Sequence, residues 1–175
     1  HFYVTVLQFL LDEERKVIAP ERFVDFELLA PAEYERFESR IEYALFLKAW
    51  RQDYVYELFR LNMEATTFKT LEHVAGVHYV AMFMARALYA VGVPIDLALV
   101  SGAAAGHDLG KFGCKPGEAV PHMHYYYTDR WFHRHNITYI GHIAANHSTW
   151  DLEPERLSVE SLVLIYADFC VKQER

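Results

Sequence analysis

The sequence predicts an all-α fold, a bundle of helices with little β-structure. Apolar residues recur at helical spacing through most of the chain, and prolines and glycines separate these stretches. The alternation that marks strands is nearly absent. With 175 residues, of which 53% are hydrophobic, the chain is long enough to bury the core of one domain.

The apolar pattern of the N-terminal part of the chain predicts helices, except in residues 1–19, where it fits a strand or a helix. Residues 1–19 contain the apolar run Phe2–Leu11, which begins with strand-like alternation and ends with helically spaced leucines. Between residues 31 and 65, the apolar pattern predicts either one long amphipathic helix or two helices joined near Gln52 and Asp53.

The rest of the chain predicts five further helices. Gly92 and Pro94 end the first of these, and Pro94 also opens the next one. Glycines make residues 106–118 a turn-rich connection, and Pro154 separates the last two helices. The predicted helices cover residues 70–91, 95–105, 121–134, 137–148 and 158–172.

Charge, hydropathy and cysteine content indicate which kinds of binding partner and which compartment to expect. The formal net charge of −7 argues against a nonspecific grip on a nucleic acid backbone, so we expect no nucleic-acid partner. No stretch reaches the roughly 18 apolar residues of a spanning helix, and nothing resembles a signal peptide, so we expect no membrane partner. Cys114 and Cys170 form no disulfide framework, which favours the cytoplasm. A homo-oligomer is compatible with all of this.

Histidine is the unusual component, and the pair His107-Asp108 is its centre. Seven of the ten histidines lie between Gly106 and Trp150. Adjacent residues on a regular helix point about 100° apart, so the pair can converge on one ion only at a helix end or a turn. Gly106 and Gly110 flank the pair and permit such a turn. An imidazole with a carboxylate suits iron, manganese or a similar divalent ion.

The string ALVSGAAAGHDLGKFG resembles the signature of HD-domain phosphohydrolases, in which small residues lead into HD, an apolar residue and GK. That family is helical and adds a histidine on an earlier helix and an aspartate on a late one. The resemblance implies an HD-domain bundle over residues 70–175, with residues 1–69 as an N-terminal helical extension that matches no motif. It implies a basic metal site of His73, His107, Asp108 and Asp168.

The first histidine of this set has two candidates on one predicted helix. His73 leads a face that continues through Val77 and Ala81, as the family's opening helix does. His78 shares its face with Arg86, which predicts a less buried position. We favour His73, and we keep open the alternative that neither histidine binds metal.

Asp168 interrupts the apolar segment SLVLIYADFC. A buried carboxylate without a partner costs several kcal/mol, so a cation or a hydrogen bond is expected beside it. The alternative is a solvent-facing aspartate near a helix end.

Two more histidines would provide a second metal site. His147 in AANHSTWD and His124 in VPHMHYYYT resemble the extra ligands of binuclear HD enzymes, although Asn146 stands where some relatives carry another histidine. His122 is the competitor of His124. The alternatives are that these residues bind substrate phosphate or pack in the core.

The closest resemblance, through HDLGKF and IYADF, is to bacterial HD hydrolases that cleave diadenosine tetraphosphate. It implies hydrolysis of a phosphate ester or anhydride in a small, nucleotide-type substrate by metal-activated water, with one or two divalent ions such as iron or manganese. Asp108 would bridge two ions, and Lys111 would hold a phosphate oxygen. Two other functions stay open: a di-iron HD oxygenase and a non-catalytic regulatory module.

Overall fold

The computed structural model describes residues 27–65, 70–148 and 154–171, and every regular element in these ranges is a helix. The prediction of an all-α fold is confirmed. The apolar run Phe2–Leu11 lies outside the described ranges. None of the described helices is long and apolar enough to cross a membrane. The helices are α1 (Pro31–Tyr34), α2 (Arg40–Gln52), α3 (Val55–Ala65), α4 (Thr70–Ala90), α5 (Leu97–Gly106), α6 (Val120–Arg134), α7 (Tyr139–Ala145) and α8 (Val159–Cys170), with 3-10 turns at Leu109–Phe112 and Pro154–Arg156.

The break between α2 and α3 decides between the two predictions made for this stretch. Asp53 ends α2, and Tyr54 takes a φ of +50°, in the left-handed region that helices of L-residues do not contain. The chain therefore forms two helices joined at residues 53 and 54. A short α1 with irregular residues 35–39 precedes them.

Helix α5 is the central helix of the bundle. Almost all its residues are buried, and most are small, which lets α2, α4, α7 and α8 approach it closely. A Cβ on Gly102 would lie 2.9 Å from Ile140 Cγ2, so α7 lies directly against the α5 backbone. Asp96 caps the helix by accepting hydrogen bonds from the backbone N–H groups of Ala98 and Leu99. The helix thus begins at Leu97, two residues later than predicted, and ends inside the bundle.

A buried chain of hydrogen bonds joins the N-terminal helices to α4 and α5. The backbone N–H of Leu29 donates to the Tyr43 hydroxyl at 2.9 Å. That hydroxyl lies 2.8 Å from Ser101 Oγ, which lies 2.9 Å from His78 Nε2. Tyr43 is fully buried, so the segment 27–65 contributes to the same core as the helices that follow it.

His78 is more buried than its sequence position predicted. Its exposed fraction is 5%, because Ser101 and α5 cover the α4 face on which it lies. Arg86, two turns along, reaches the surface instead and pairs with Glu33 at 3.0 Å. Burial, and then the charge of Arg86, lower the pKa of His78 to about 4, so its ring is neutral at neutral pH.

Removing the Tyr43 hydroxyl should destabilise the fold. In Tyr43→Phe, the buried N–H of Leu29 loses its acceptor, and Ser101 loses a partner. We expect the free energy of unfolding to fall by about 1–3 kcal/mol, measured by urea denaturation.

The matched control is Tyr89→Phe. Tyr89 is 43% exposed, and its ring contacts to Phe37 and Arg36 do not involve the hydroxyl. This variant should be within about 0.5 kcal/mol of the parent chain. Equal stability of the two variants would contradict the role assigned to the buried chain.

Candidate metal centre

Four imidazoles and two carboxylates meet inside the bundle. They come from α4, from the end of α5, from α6, from the turn after α7 and from α8, so distant parts of the sequence converge. The structure brings together all six residues predicted as ligands. They are His73, His107, Asp108, His124, His147 and Asp168.

The first group surrounds one oxygen of Asp108. The Nε2 atoms of His73 and His107 lie 3.3 Å apart, and each lies 3.6 Å from Asp108 Oδ2. Oδ1 of Asp168 lies 3.0 Å from His73 Nε2 and 3.7 Å from His107 Nε2. This group matches the set that the HD resemblance implied.

The second group faces the other oxygen of Asp108. Nε2 of His124 lies 3.4 Å from Nε2 of His147 and 3.9 Å from Asp108 Oδ1. All three residues are buried. Asp108 thus presents Oδ2 to His73 and His107 and Oδ1 to His124, so the carboxylate lies between the two groups.

These separations have the size of the edges of a metal coordination polyhedron. Metal–ligand bonds of about 2.0–2.2 Å place neighbouring ligand atoms roughly 3.0–3.5 Å apart in octahedral or tetrahedral geometry. The two Nε2···Nε2 distances, 3.3 and 3.4 Å, fall in that range. The nitrogen–oxygen distances of 3.6–3.9 Å to Asp108 are somewhat longer, and each group could hold a metal ion.

Each of the four imidazoles is oriented by a hydrogen bond from its other nitrogen. A carbonyl oxygen only accepts, so the Nδ1 atom of each ring carries a proton, and in the neutral rings of His107, His124 and His147 the Nε2 atom presents a lone pair to the centre. This is the outer-shell arrangement that orients metal-binding histidines. The Nδ1 partners are the carbonyl of Val171 for His73 (3.0 Å), of Ala104 for His107 (2.8 Å), of Val120 for His124 (2.8 Å) and of Ala144 for His147 (2.7 Å).

The electrostatics keep these groups in the protonation states that bind metals. Burial lowers the pKa of His107 to about 4 and also lowers the pKa values of His124 and His147. Burial raises the pKa of Asp108, but the neighbouring imidazoles and Lys111 outweigh it and hold that pKa well below its usual range. The pKa of Asp168 is lowered against its burial, first by the hydrogen bond with His73. At neutral pH the centre therefore presents the neutral imidazoles of His107, His124 and His147 and two ionised carboxylates.

The HD pair converges because it lies at a helix end, as predicted. His107 follows the last residue of α5, and Asp108 precedes the 3-10 turn Leu109–Phe112. His107 keeps a helical backbone (φ −60°, ψ −32°), whereas Asp108 departs from it (φ −100°, ψ 5°), and His107 Nε2 and Asp108 Oδ2 lie 3.6 Å apart. The ammonium group of Lys111, one turn later, donates a hydrogen bond to Asp108 Oδ2.

The glycines beside the pair provide space for α6. Neither Gly106 nor Gly110 takes a positive φ, so the reason for them is steric rather than a left-handed backbone. A Cβ on Gly110 would lie 1.8 Å from the carbonyl oxygen of His124, and one on Gly106 would lie 2.6 Å from Phe132 Cζ. The N–H of Gly110 also donates to Thr128 Oγ1 at 2.9 Å. These contacts fix the distance between the HD turn and α6.

The remaining histidines of the predicted set lie elsewhere. His78 Nε2 is hydrogen-bonded to Ser101 Oγ, whereas His73 Nε2 lies beside His107 Nε2. Of the two candidates for the first histidine of the set, the one that lies at the centre is therefore His73. His122 is exposed, whereas His124, half a turn further along α6, is buried. Asn146 donates to the carbonyl of His142 at 2.7 Å rather than facing the centre.

A pocket of about 420 Å³ opens onto the centre. Lys111 and Tyr125 both lie in its lining. The ring of Tyr125 lies 3.9 Å from that of His124 and 4.9 Å from that of His147, measured between centroids. Its position directly after His124 was the available sequence signal. Thr70, Pro121 and Ser148 also line the pocket and were not predicted.

Comparison with known proteins gives no relative. No family model matches the chain, and neither a curated protein nor a solved structure is significantly similar to it. The resemblance to HD-domain phosphohydrolases therefore stays a prediction from motifs, and the geometry described above does not depend on it.

Replacing His124 should remove one ion and keep the other. His124→Ala deletes a ligand of the second group only, so metal content should fall from about two ions per chain to about one. The measurement is elemental analysis after loading with Mn²⁺ and removal of free ion. His122→Ala, an exposed neighbour on the same helix, should keep both ions. Equal loss in the two variants would contradict the assignment.

A methyl group on Gly110 should disturb the centre through packing. In Gly110→Ala, the added Cβ must displace the α6 backbone at His124, so we expect about 1–3 kcal/mol of destabilisation and weaker binding of the second ion. Gly92→Ala is the control, since its Cβ meets no atom within 4 Å but its φ of +87° imposes strain. That control should lose stability with unchanged metal content, and a matching metal loss would reject the packing role of Gly110.

Proposed function

We propose that this protein is a metal-dependent phosphohydrolase in which two divalent ions share Asp108. The observation that carries the proposal is the position of that carboxylate. Its Oδ2 lies 3.6 Å from Nε2 of both His73 and His107, and its Oδ1 lies 3.9 Å from Nε2 of His124, which is 3.4 Å from Nε2 of His147. Two ions joined by one carboxylate suit the hydrolysis of phosphate esters, for which spacings of about 3.5–4 Å are typical.

The donor set favours iron or manganese. Mixed nitrogen and oxygen donors without a thiolate are typical ligands of these borderline ions. Bound there, the ions would supply a water of lowered pKa and would neutralise charge on the phosphoryl group. Asp168 lies close to the first pair of imidazoles and would complete its coordination.

Lys111 supports a phosphorylated substrate. Its ammonium contacts Asp108 and lines the pocket, and about a third of its side chain is exposed. Two carboxylates and one ammonium leave the protein part of the centre slightly negative, whereas two divalent ions would make it positive. Lys111 would then be free to turn from Asp108 towards a phosphate oxygen.

The pocket supports a small substrate with an apolar or aromatic portion. Its volume of about 420 Å³ is in the range of small-molecule sites. Val120, Pro121 and the half-buried Tyr125 provide an apolar wall beside the second pair of imidazoles. A nucleotide-type phosphate ester would match this pocket, with its charged phosphate at the centre and its flat ring against the apolar wall.

Lys111 also bears on the two alternative functions. A di-iron oxygenase of similar scaffold has no need of a phosphate-binding ammonium beside its ions, so Lys111 in the pocket favours hydrolysis. A purely regulatory module has no need of six clustered imidazoles and carboxylates, five of which line a pocket. The hydrolase remains the function that uses each of these groups.

The test is turnover of phosphate esters by the Mn²⁺- or Fe²⁺-loaded protein. The substrates are p-nitrophenyl phosphate, nucleoside monophosphates and diadenosine tetraphosphate. We expect release of phosphate or nucleotide that stops after verified removal of the metal. Asp108→Ala should abolish turnover and keep the helical circular dichroism. Turnover that survives metal removal would reject the proposal.

The lysine has a matched control of its own. Lys111→Gln should lower kcat/KM by on the order of 10²-fold through loss of one charged donor. Lys115→Gln, at an exposed position four residues later, should leave kcat/KM unchanged. Equal rates for the two variants would remove Lys111 from the proposed site.

A further inference from the structure

A second groove lies beside the 3-10 turn that follows the HD pair. It holds about 570 Å³ and is bounded by the junction of α2 and α3, by the turn and by α6. It shares no lining residue with the metal pocket. Leu109 and Phe112 of the turn line the groove, whereas Asp108 and Lys111 line the metal pocket, so the turn separates the two spaces.

One face of α6 forms the charged wall of this groove. Tyr127, Arg130, Trp131 and Arg134 all line it, and their spacing of three and four residues places them on one side of the helix. The two arginines are one turn apart and both exposed. Like charges at this spacing repel one another, so an anion between them would be stabilising.

Asp53 fixes part of this wall and leaves the rest available. Its Oδ2 accepts hydrogen bonds from Trp131 Nε1 at 2.8 Å and from Arg134 at 3.2 Å, and it lies 2.9 Å from His135 Nε2. The indole and one guanidinium are therefore held in place before any ligand arrives. Arg130 makes no ion pair or hydrogen bond within the described ranges, so its guanidinium is available.

The opposite wall and the floor are apolar. Val55 and Leu109 are buried, and Leu58 and Phe112 are half-buried. The ring of Phe112 packs edge-on against that of Phe59, with centroids 4.9 Å apart, which holds it in position. An apolar floor under two guanidinium groups suits a flat hydrophobic body with an anionic end.

We propose that this groove binds a small aromatic molecule that carries a phosphate or carboxylate group. Arg130 would bind the anionic group, with Arg134 beside it, and the aromatic body would lie on Trp131 and the apolar floor. Arginine is suited to both anions because its planar fork matches two oxygen atoms. This site is separate from the proposed metal centre and does not depend on the hydrolase proposal.

The test uses 1-naphthylphosphonate, whose carbon–phosphorus bond is not a hydrolysable ester. Calorimetric titration of the full chain should show binding that Arg130→Gln weakens by at least about ten-fold, the effect of one charge-assisted contact. Arg40→Gln, an exposed arginine on α2, should leave the affinity unchanged. Naphthalene-1-carboxylate should bind similarly, and the neutral 1-naphthylmethanol should bind much more weakly.

His124→Ala distinguishes the groove from the metal centre. Because His124 does not line the groove, the affinity for the phosphonate should persist in this variant. No binding to the parent chain would overturn the proposal, and so would equal affinity in Arg130→Gln. Loss of affinity in His124→Ala would assign the phosphonate to the metal centre instead and would also overturn it.

Discussion

Lone pairs that face one another in a buried space are the constraint on which this structure depends. Four imidazole nitrogens and two carboxylates point at a common centre, and each Nδ1 proton is already committed to a backbone carbonyl. The ammonium group of Lys111 brings a positive charge into contact with Asp108. Acceptors that converge in this way repel one another unless a proton, as between His73 and Asp168, or a metal ion lies between them. The metal-centre hypothesis follows from this repulsion.

The helical bundle makes this convergence possible through the composition of α5. Its small buried residues let four helices approach it, so its C-terminal end lies where the surrounding helices deliver their own ligands. Gly110 extends this principle past the helix end, because its missing side chain lets the HD turn contact α6 near His124. The close packing of the turn against α6 therefore also sets the position of the His124 imidazole, because a shift of α6 would move that ring.

The turn between the two cavities gives the molecule a second point of interest. Leu109 and Phe112 line the groove that contains Arg130 and Arg134, and Asp108 and Lys111 line the metal pocket. The 3-10 turn contains only four residues. Leu109 and Phe112 therefore have little freedom to move without also moving Asp108 and Lys111. A ligand on the groove side would therefore contact the same element that positions the proposed bridging carboxylate.

The sequence by itself determined the helical class and the approximate helix bounds, and its resemblance to the HD motif implied which residues would meet. The helices follow from local rules, because apolar periodicity, caps and breaks act over a few residues. The candidate ligands came from the motif resemblance, supported at Asp168 by the cost of burying a carboxylate without a partner. Only the tertiary structure decided between His73 and His78, because the choice depends on Val171 and Ser101, which are distant in sequence. The steric role of Gly110 also required the structure. So did the burial of His78, since periodicity on one helix does not say which neighbour covers each face.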